Sequence, residues 1–465
     1  MCLAICAFLP VKLLMADELI DQSIAAQMQM SGALKPDADF NSPMATLANP
    51  ELLQAALLDV PPTQLVDISQ LIKKGDFATA RKIIAPLLAQ DNPHLETLFI
   101  SGQLWQAQGE ARKAAEDYRA MLNRNPALVR PRLELGLVLF QLEDYESALY
   151  HFEKVLGNKA LPAQVQANVM QFVRGIRDRQ GYVNLNFSIA PDTNINSGTY
   201  NREIIIDGNR YLLSDTTQQT SGLGVVINAN AQRNFGLDLS YFVRGSVEWV
   251  DYKGKLADSV YAAAYSGKVF KLNTHSITLE VGAQTQTYQD HALYDGLIIR
   301  LGDSVAISPQ TRLQLTLDER QFNYEPTFDY KTGAHANFTA EARHALDGVS
   351  DVSLAASLTH ANAKESPYAF NELGLTAGYN RELPYGIIAG VEFAAARSEY
   401  QGLDPFFGIK RADTNLRGEI NLLKRNWSWQ GFAPRLTLAY VDNQSNLQLN
   451  QYQRIYGRIT FSKNF

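Results

Sequence analysis

The stretch Gly236–Asp251 alternates. Leu237, Leu239, Tyr241, Val243, Val247 and Trp249 share one parity, with Gly245 between them. Asp238, Ser240, Arg244, Ser246 and Glu248 share the other, broken by Phe242 and Val250. A period of two over this length means a strand with one apolar and one polar face. Soluble strands run about 5–6 residues, whereas tilted membrane-spanning strands need about 9–11. The same pattern recurs to the last residue. That repetition predicts a transmembrane β-barrel.

Fourteen candidate strands follow, near 182–190, 220–233, 236–251, 257–271, 274–289, 292–307, 310–324, 329–345, 350–362, 370–383, 386–399, 411–424, 431–444 and 452–465. An even number is what single-chain bacterial barrels require, and it puts both barrel termini on the periplasmic side. Short turns are expected at Asn234-Phe235, Leu272-Asn273, Ser308-Pro309 and Leu383-Pro384-Tyr385, and longer links at Asp192–Gln219 and Gln401–Lys410. In the last strand Ile455, Gly457, Ile459, Phe461 and Phe465 share one parity. A final aromatic on such a strand resembles the signal read by the outer-membrane assembly machinery. The opposite, lumen-facing parity carries charges of both signs: Arg244 and Glu248, Asp318 and Arg320, Glu341 and Arg343, Arg417 and Glu419, Arg454 and Arg458. They are candidates either for simple lumen solvation or for setting selectivity.

The N-terminal half reads differently. Met1–Ala16, MCLAICAFLPVKLLMA, resembles a short secretory signal with Ala16 at the cut, although a basic start is missing. Residues 17–62 form a polar lead-in with one short helix, Glu51–Leu58. Stepping by 34 then aligns Gly75, Gly109 and Glu143; Phe77, Ala111 and Tyr145; Ala80, Ala114 and Ala148; Ile84, Tyr118 and Phe152; Leu88, Leu122 and Leu156. A 34-residue period is the signature of tetratricopeptide repeats. Gly102 and Gly136 fall where paired helices must approach closely, Ala114 and Ala148 do the same on the second helix, Tyr118 and Phe152 are further packing positions of the repeats, and Ile68 takes the glycine position of a degenerate first unit. Ala163–Arg179 reads as a capping helix with Val165, Val169, Phe172, Val173 and Ile176 inward. Such stacked hairpins serve either as a spacer or as a groove for a peptide or unfolded protein.

The chain is therefore expected to be an α+β multidomain protein. A periplasmic repeat domain over 63–180 precedes an outer-membrane barrel over 181–465. No run of 18 or more uncharged apolar residues suggests a membrane-spanning helix. The formal net charge of −6 gives no reason to expect nucleic acid as a partner. Both cysteines, Cys2 and Cys6, lie in the first six residues, so a processed chain would have neither a disulfide framework nor a cysteine metal site.

The start of the barrel, Tyr182–Thr199, is an apolar strand ending in Ala-Pro-Asp-Thr-Asn-Ile-Asn, with Asp192, Asn194 and Asn196 as its polar residues. This opening resembles the surface lipoprotein assembly modulator (Slam) family. A signal peptide, periplasmic repeats and a fourteen-strand outer-membrane barrel agree with it. The resemblance implies a barrel that moves client proteins across the outer membrane, mostly surface lipoproteins, many of them for iron or haem capture, and in some relatives soluble haem-scavenging proteins. Turn chemistry alone favours a structural role for Asp192, Asn194 and Asn196, since short polar side chains bond neighbouring backbone groups. Client contact or a cation site is the alternative, although three oxygen side chains fall short of a calcium loop.

Nothing in the sequence assembles a catalytic site. The seven histidines are scattered, and no Gly-x-Ser-x-Gly elbow, His-Glu-x-x-His pair or phosphate-binding glycine loop is present. No cofactor is implied. Two functions from different classes stand: a secretion translocator whose repeats capture a client, and a porin-like channel whose repeats tether partners. Polysaccharide export is a third. Without a nucleotide motif, direction in a translocator would come from client folding outside or from hand-off by periplasmic chaperones.

Overall fold

The computed structural model describes residues 62–177, 181–206, 208–215, 217–236, 239–254, 257–424 and 432–464. They belong to one compact unit, Val60–Phe465. The signal, the lead-in, its short helix and the terminal Phe465 lie outside them.

Among the described residues seven helices come first: α1 Pro62–Lys73, α2 Phe77–Leu88, α3 Leu95–Ala107, α4 Ala111–Arg124, α5 Val129–Gln141, α6 Tyr145–Leu156 and α7 Ala163–Arg177. The 34-residue period has a backbone cause. Gly75 (φ 78°), Gly109 (φ 78°) and Glu143 (φ 60°) each turn the chain left-handed between the two helices of a pair. Glycine enters that region freely and glutamate does not. The next residue closes the turn in two of the three units: Asp76 accepts from the Thr79 amide and Asp144 from the Ser147 amide, both at 3.2 Å.

Close approach accounts for the other glycines. A Cβ on Gly102 would sit 2.6 Å from the Tyr118 ring, and one on Gly136 2.7 Å from the Phe152 ring. Ile68, Ala80, Ile84, Ile100 and Leu104 pack the first hairpins together. The α7 ring of Phe172 stacks on Phe152 at 5.3 Å and meets Phe140 edge-on at 5.2 Å, which closes the end of the stack.

The rest is a closed antiparallel barrel of fourteen strands: β1 Gly181–Asp192, β4 Gly222–Phe235, β5 Tyr241–Tyr252, β6 Ser259–Leu272, β7 His275–Tyr288, β8 His291–Ala306, β9 Thr311–Tyr324, β10 Gly333–Ala345, β11 Ser350–Ala361, β12 Phe370–Leu383, β13 Ile387–Leu403, β14 Lys410–Lys424, β15 Ala433–Ser445 and β16 Tyr452–Asn464. Each pairs with its sequence neighbour, and β1 pairs with β16 to close the ring. Leu297, Ile299, Leu317, Leu354, Phe393 and Ile420 are exposed on the outer face. Those residues mark a lipid-facing band, and the opposite parity lines the lumen.

Four connections differ from expectation; between β9 and β10 the segment Pro326–Lys331 is a short 3-10 helix, so β10 begins at Gly333 rather than near 329. The chain runs extended through Asn234 and Phe235 and reverses afterwards, so β5 begins at Tyr241 rather than at Gly236. Gly236 (φ 92°) and Leu239 (φ 52°) supply the reversal. Between β6 and β7 the turn is Asn273-Thr274, one residue later than expected, with Asn273 left-handed at φ 55° and Leu272 still paired with His275. Asp192–Gln219 holds a small hairpin of its own, β2 Glu203–Ile206 and β3 Asn209–Leu212. Local alternation marks where a strand exists; register with its neighbour decides where it stops.

Candidate functional site

The helical region sits on the barrel end that carries the short hairpins. Leu156 O accepts from Gln310 Nε2 (3.0 Å) in the β8–β9 turn. Lys154 Nζ lies 2.7 Å from Asp351 Oδ2, and Asp351 also accepts from Asn380 Nδ2 at 3.1 Å. A Cβ on Gly157 would meet Asp347 O at 2.6 Å, so α6 ends hard against the β10–β11 turn. The strongest contact is on the β12–β13 side. Arg132 Nη2 and Tyr150 OH both lie 2.8 Å from Glu382 Oε2. The Arg132 and Glu382 side chains are 2% and 6% exposed. The Arg132 guanidinium also donates to Pro126 O and faces His151 Nδ1 at 3.4 Å. A pair this deeply buried contributes placement more than net stability, because desolvation offsets much of its attraction. Asp347, in the β10–β11 turn, is partly desolvated, which pushes its carboxyl up. Bonds from Ser350 and the Val349 and Ser350 amides outweigh that and hold it below the usual carboxylate range.

A second attachment lies across the ring. α7 ends at Arg177 and β1 starts at Gly181. A four-residue step spans at most roughly 14 Å. In ring order β1 is seven places from β10, which is the far side of a fourteen-strand ring. The helical region therefore crosses the mouth between its docking turns and β1. A fourteen-strand barrel at ordinary tilt is roughly 28 Å across, and α7 alone is roughly 22 Å long.

In the lumen, charges meet across strands. Arg244 Nη2 lies 2.5 Å from Glu280 Oε2 on β7, and Arg300 Nη1 on β8 lies 3.5 Å from the same oxygen. Tyr265 on β6 faces both guanidiniums, at 4.5 and 5.6 Å. Asp318 and Arg320 join at 2.7 Å. Arg417 pairs with Glu392 on β13. Glu248 and Glu419 fall on the same lumen parity, each half-buried. Glu341 and Arg343 stand 3.7 Å apart. Adjacent charges on one strand were visible in sequence; Glu280, Arg300 and Glu392 were not, because they arrive from neighbouring strands.

Asp192, Asn194 and Asn196 lie at the barrel end opposite the helical region. Asp192, whose side chain is 1% exposed, takes three bonds from Arg454, through Nε and Nη2, and one from the Asn194 amide at 2.8 Å. Asn194 bridges Gly198 in both directions at 2.9 Å and donates to Gln453 O at 3.2 Å. Asn196 donates to Gln218 O at 2.8 Å and accepts from the Thr220 amide at 3.0 Å. These side chains tie the loop that follows β1 to itself and to β16. Among the described residues no group of three or more His, Cys, Asp or Glu side chains could hold a metal. Sequence reading missed Arg132, Tyr150, Lys154, Asp351 and Glu382. The α5 helix carries three charges in its first half, Arg130, Arg132 and Glu134, and no sequence pattern set Arg132 apart from the other two.

The family model for "Surface lipoprotein assembly modifier" matches residues 182–465, the whole barrel. The chain belongs to the Surface lipoprotein assembly modifier family. Among its relatives is Surface lipoprotein assembly modifier 1 of Neisseria meningitidis serogroup B, 24% identical over 90% of this chain and 84% of that one. Another is the Surface lipoprotein assembly modifier of Pasteurella multocida, 21% identical over 97% of this chain and 92% of that one. The similarity of both relatives extends beyond the barrel into the helical region. Among solved structures, a bacterial polysaccharide outer membrane secretin aligns with 62% of this chain and 99% of its own at 10% identity and TM-score 0.36, a likeness too loose to bear on function.

Proposed function

We propose that this protein is an outer-membrane translocator that delivers client lipoproteins to the cell surface, with the helical region in the periplasm as the module that receives the client. The observation that carries this reading is the helical region lying across the mouth of the barrel, held at Glu382 and Asp351 on one side and joined to β1 on the other. Anything entering the lumen from that side meets the repeats first. A passive channel has no use for such a module. The clients are surface lipoproteins, as the names of the relatives say of those proteins, and the class extends by family resemblance to soluble haem- or iron-capture proteins. Asp192, Asn194 and Asn196 act as the outer clasp of β1 in this scheme, and the lumen charges keep the path hydrated.

The test is protease shaving of intact cells with and without the gene, complemented by the full chain. A lipoprotein encoded nearby should lose surface exposure on deletion and regain it on complementation. Unchanged exposure of every surface protein, together with reduced uptake of small solutes, would establish the porin-like reading instead.

A further inference from the structure

We infer that the β1–β16 seam is a lateral gate through which the acyl chains of a lipidated client leave the lumen. This inference rests on the proposed function. The seam is the most weakly zipped joint in the ring. Among the described residues β1 and β16 pair only at Asn184–Ile189 and at Asp192, seven positions, whereas β1 pairs with β4 at all twelve positions of Gly181–Asp192. Tyr241–Val250 of β5 gives ten positions with β6, and the remaining joints have eleven or more. The break falls at Ala190-Pro191. Pro191 has no amide hydrogen to offer a neighbour, and Gly457 faces it, where an added Cβ would lie 3.3 Å from the proline ring.

The two ends of the seam are held differently. At the outer end Asp192 binds Arg454, the Thr193 amide donates to Ile455 O (3.0 Å), and the Ile455 amide donates to Thr193 Oγ1 (2.9 Å). Thr199 Oγ1 donates to Gln448 O at 2.7 Å, so the first and last outer loops are tied as well. Inward of Pro191 the lumen-facing side chains of the two strands include Asn184, Asn186, Ser188, Arg458, Thr460 and Ser462. Ser188 and Thr460 share a bond of 2.9 Å across the seam there. The outer clasp is thus a hinge and the inner part is the leaf that opens. β1 is also the strand that follows the helical region in the chain, so movement of the repeats on a client is transmitted first to that leaf.

The chemistry identifies what would pass. A lumen lined by Arg244, Glu280, Arg300, Asp318 and Arg320 suits a hydrated polypeptide and not hydrocarbon. An acyl anchor that travels with a polypeptide in the lumen must leave through the wall, and it crosses where the fewest backbone bonds are broken.

The experiment locks the seam. Ser188→Cys with Thr460→Cys, in a full-length background carrying Cys2→Ser and Cys6→Ser, is closed by oxidation or by a short bis-thiol-reactive linker. Closure is read as a gel-mobility change, since it joins residues far apart in the chain. Asn337→Cys with Thr359→Cys, whose native side chains bond at 2.8 Å across β10–β11, is the control lock. The probes are one lipoprotein whose display depends on this protein, and the same lipoprotein with its lipid-accepting cysteine replaced and a non-lipidating signal. The seam lock should abolish display of the lipidated probe, spare the unlipidated one, and be reversed by reductant, while the control lock does nothing. Display of the lipidated probe through a locked seam overturns the inference. So does loss of both probes, or equal loss with the control lock. If no probe depends on the unlocked protein, the proposed function fails first, and that is measured before any lock is closed.

Discussion

The helical region and the barrel solve opposite packing problems with the same side chains. In the repeats Ile68, Ala80, Tyr118, Val138 and Phe152 are fully buried. In the barrel Leu297, Leu354 and Phe393 are 64%, 62% and 66% exposed, because lipid replaces the missing neighbour. The repeats therefore depend on side-chain fit at each hairpin. The barrel depends on its closed hydrogen-bonded ladder and tolerates shape changes on its outer face, but not charge. At the junction the two meet through buried ions, which neither region needs for itself.

The junction should break first and hardest. Arg132→Ala leaves Glu382 buried without its cation, a loss of roughly 3–5 kcal/mol for a severed buried pair. Protease should then release the helical region while heat-modifiable migration of the barrel is unchanged. Arg132→Met with Glu382→Leu should restore much of the docking. If Arg132→Ala leaves protease resistance intact, the pair does not hold the junction.

Charge on the lipid face comes next. Leu297→Arg, near the middle of β8, should cost about 2–4 kcal/mol, read as loss of folded barrel in urea titrations in vesicles. Shape in the repeats follows. Gly136→Val drives a methyl group into the Phe152 ring and should cost about 1–3 kcal/mol. Gly245→Val on the barrel, where a Cβ meets nothing within 4 Å, should stay within about 0.5 kcal/mol. Equal effects of the two valines would erase the contrast. Glu143→Gly should stabilise the repeats by about 0.5–1 kcal/mol, since only glycine enters the left-handed turn without strain.

The smallest effect is acid sensitivity at the β10–β11 turn. Asp347 is held below its ordinary value, chiefly by Ser350 and two backbone amides acting against desolvation. Its stabilisation is present above the unfolded carboxyl pKa and is lost as pH falls through the lower folded value. Asp347→Asn should flatten the acid limb of helical-region release, with resistance at neutral pH lowered toward the level the unaltered chain shows in acid.

Much of this was legible in advance. Alternation located all fourteen barrel strands, because the parity of a strand is a local property. The 34-residue columns marked Gly102 and Gly136 as points of close helix approach; that Gly75 and Gly109 turn the chain left-handed, and that aromatic rings lie over the other two, came from the structure. Partners across strands were not legible. Arg244 carries Glu248 four residues on along its own strand, yet binds Glu280 two strands away. Nor did any pattern announce the β2–β3 hairpin, whose strands are four residues each, or the broken pairing opposite Pro191.

The sequence by itself determined the two architectures, the even strand number, the faces of each strand and the close-approach glycines, all consequences of period and backbone stereochemistry within a few residues. Tertiary structure alone decided where strands stop, which charges pair in the lumen, that Arg132 and Lys154 reach Glu382 and Asp351 more than 190 residues away, and which seam is weakest. Those depend on register around a closed ring and on the docking of one folded surface on another, and neither leaves a periodic trace in the chain.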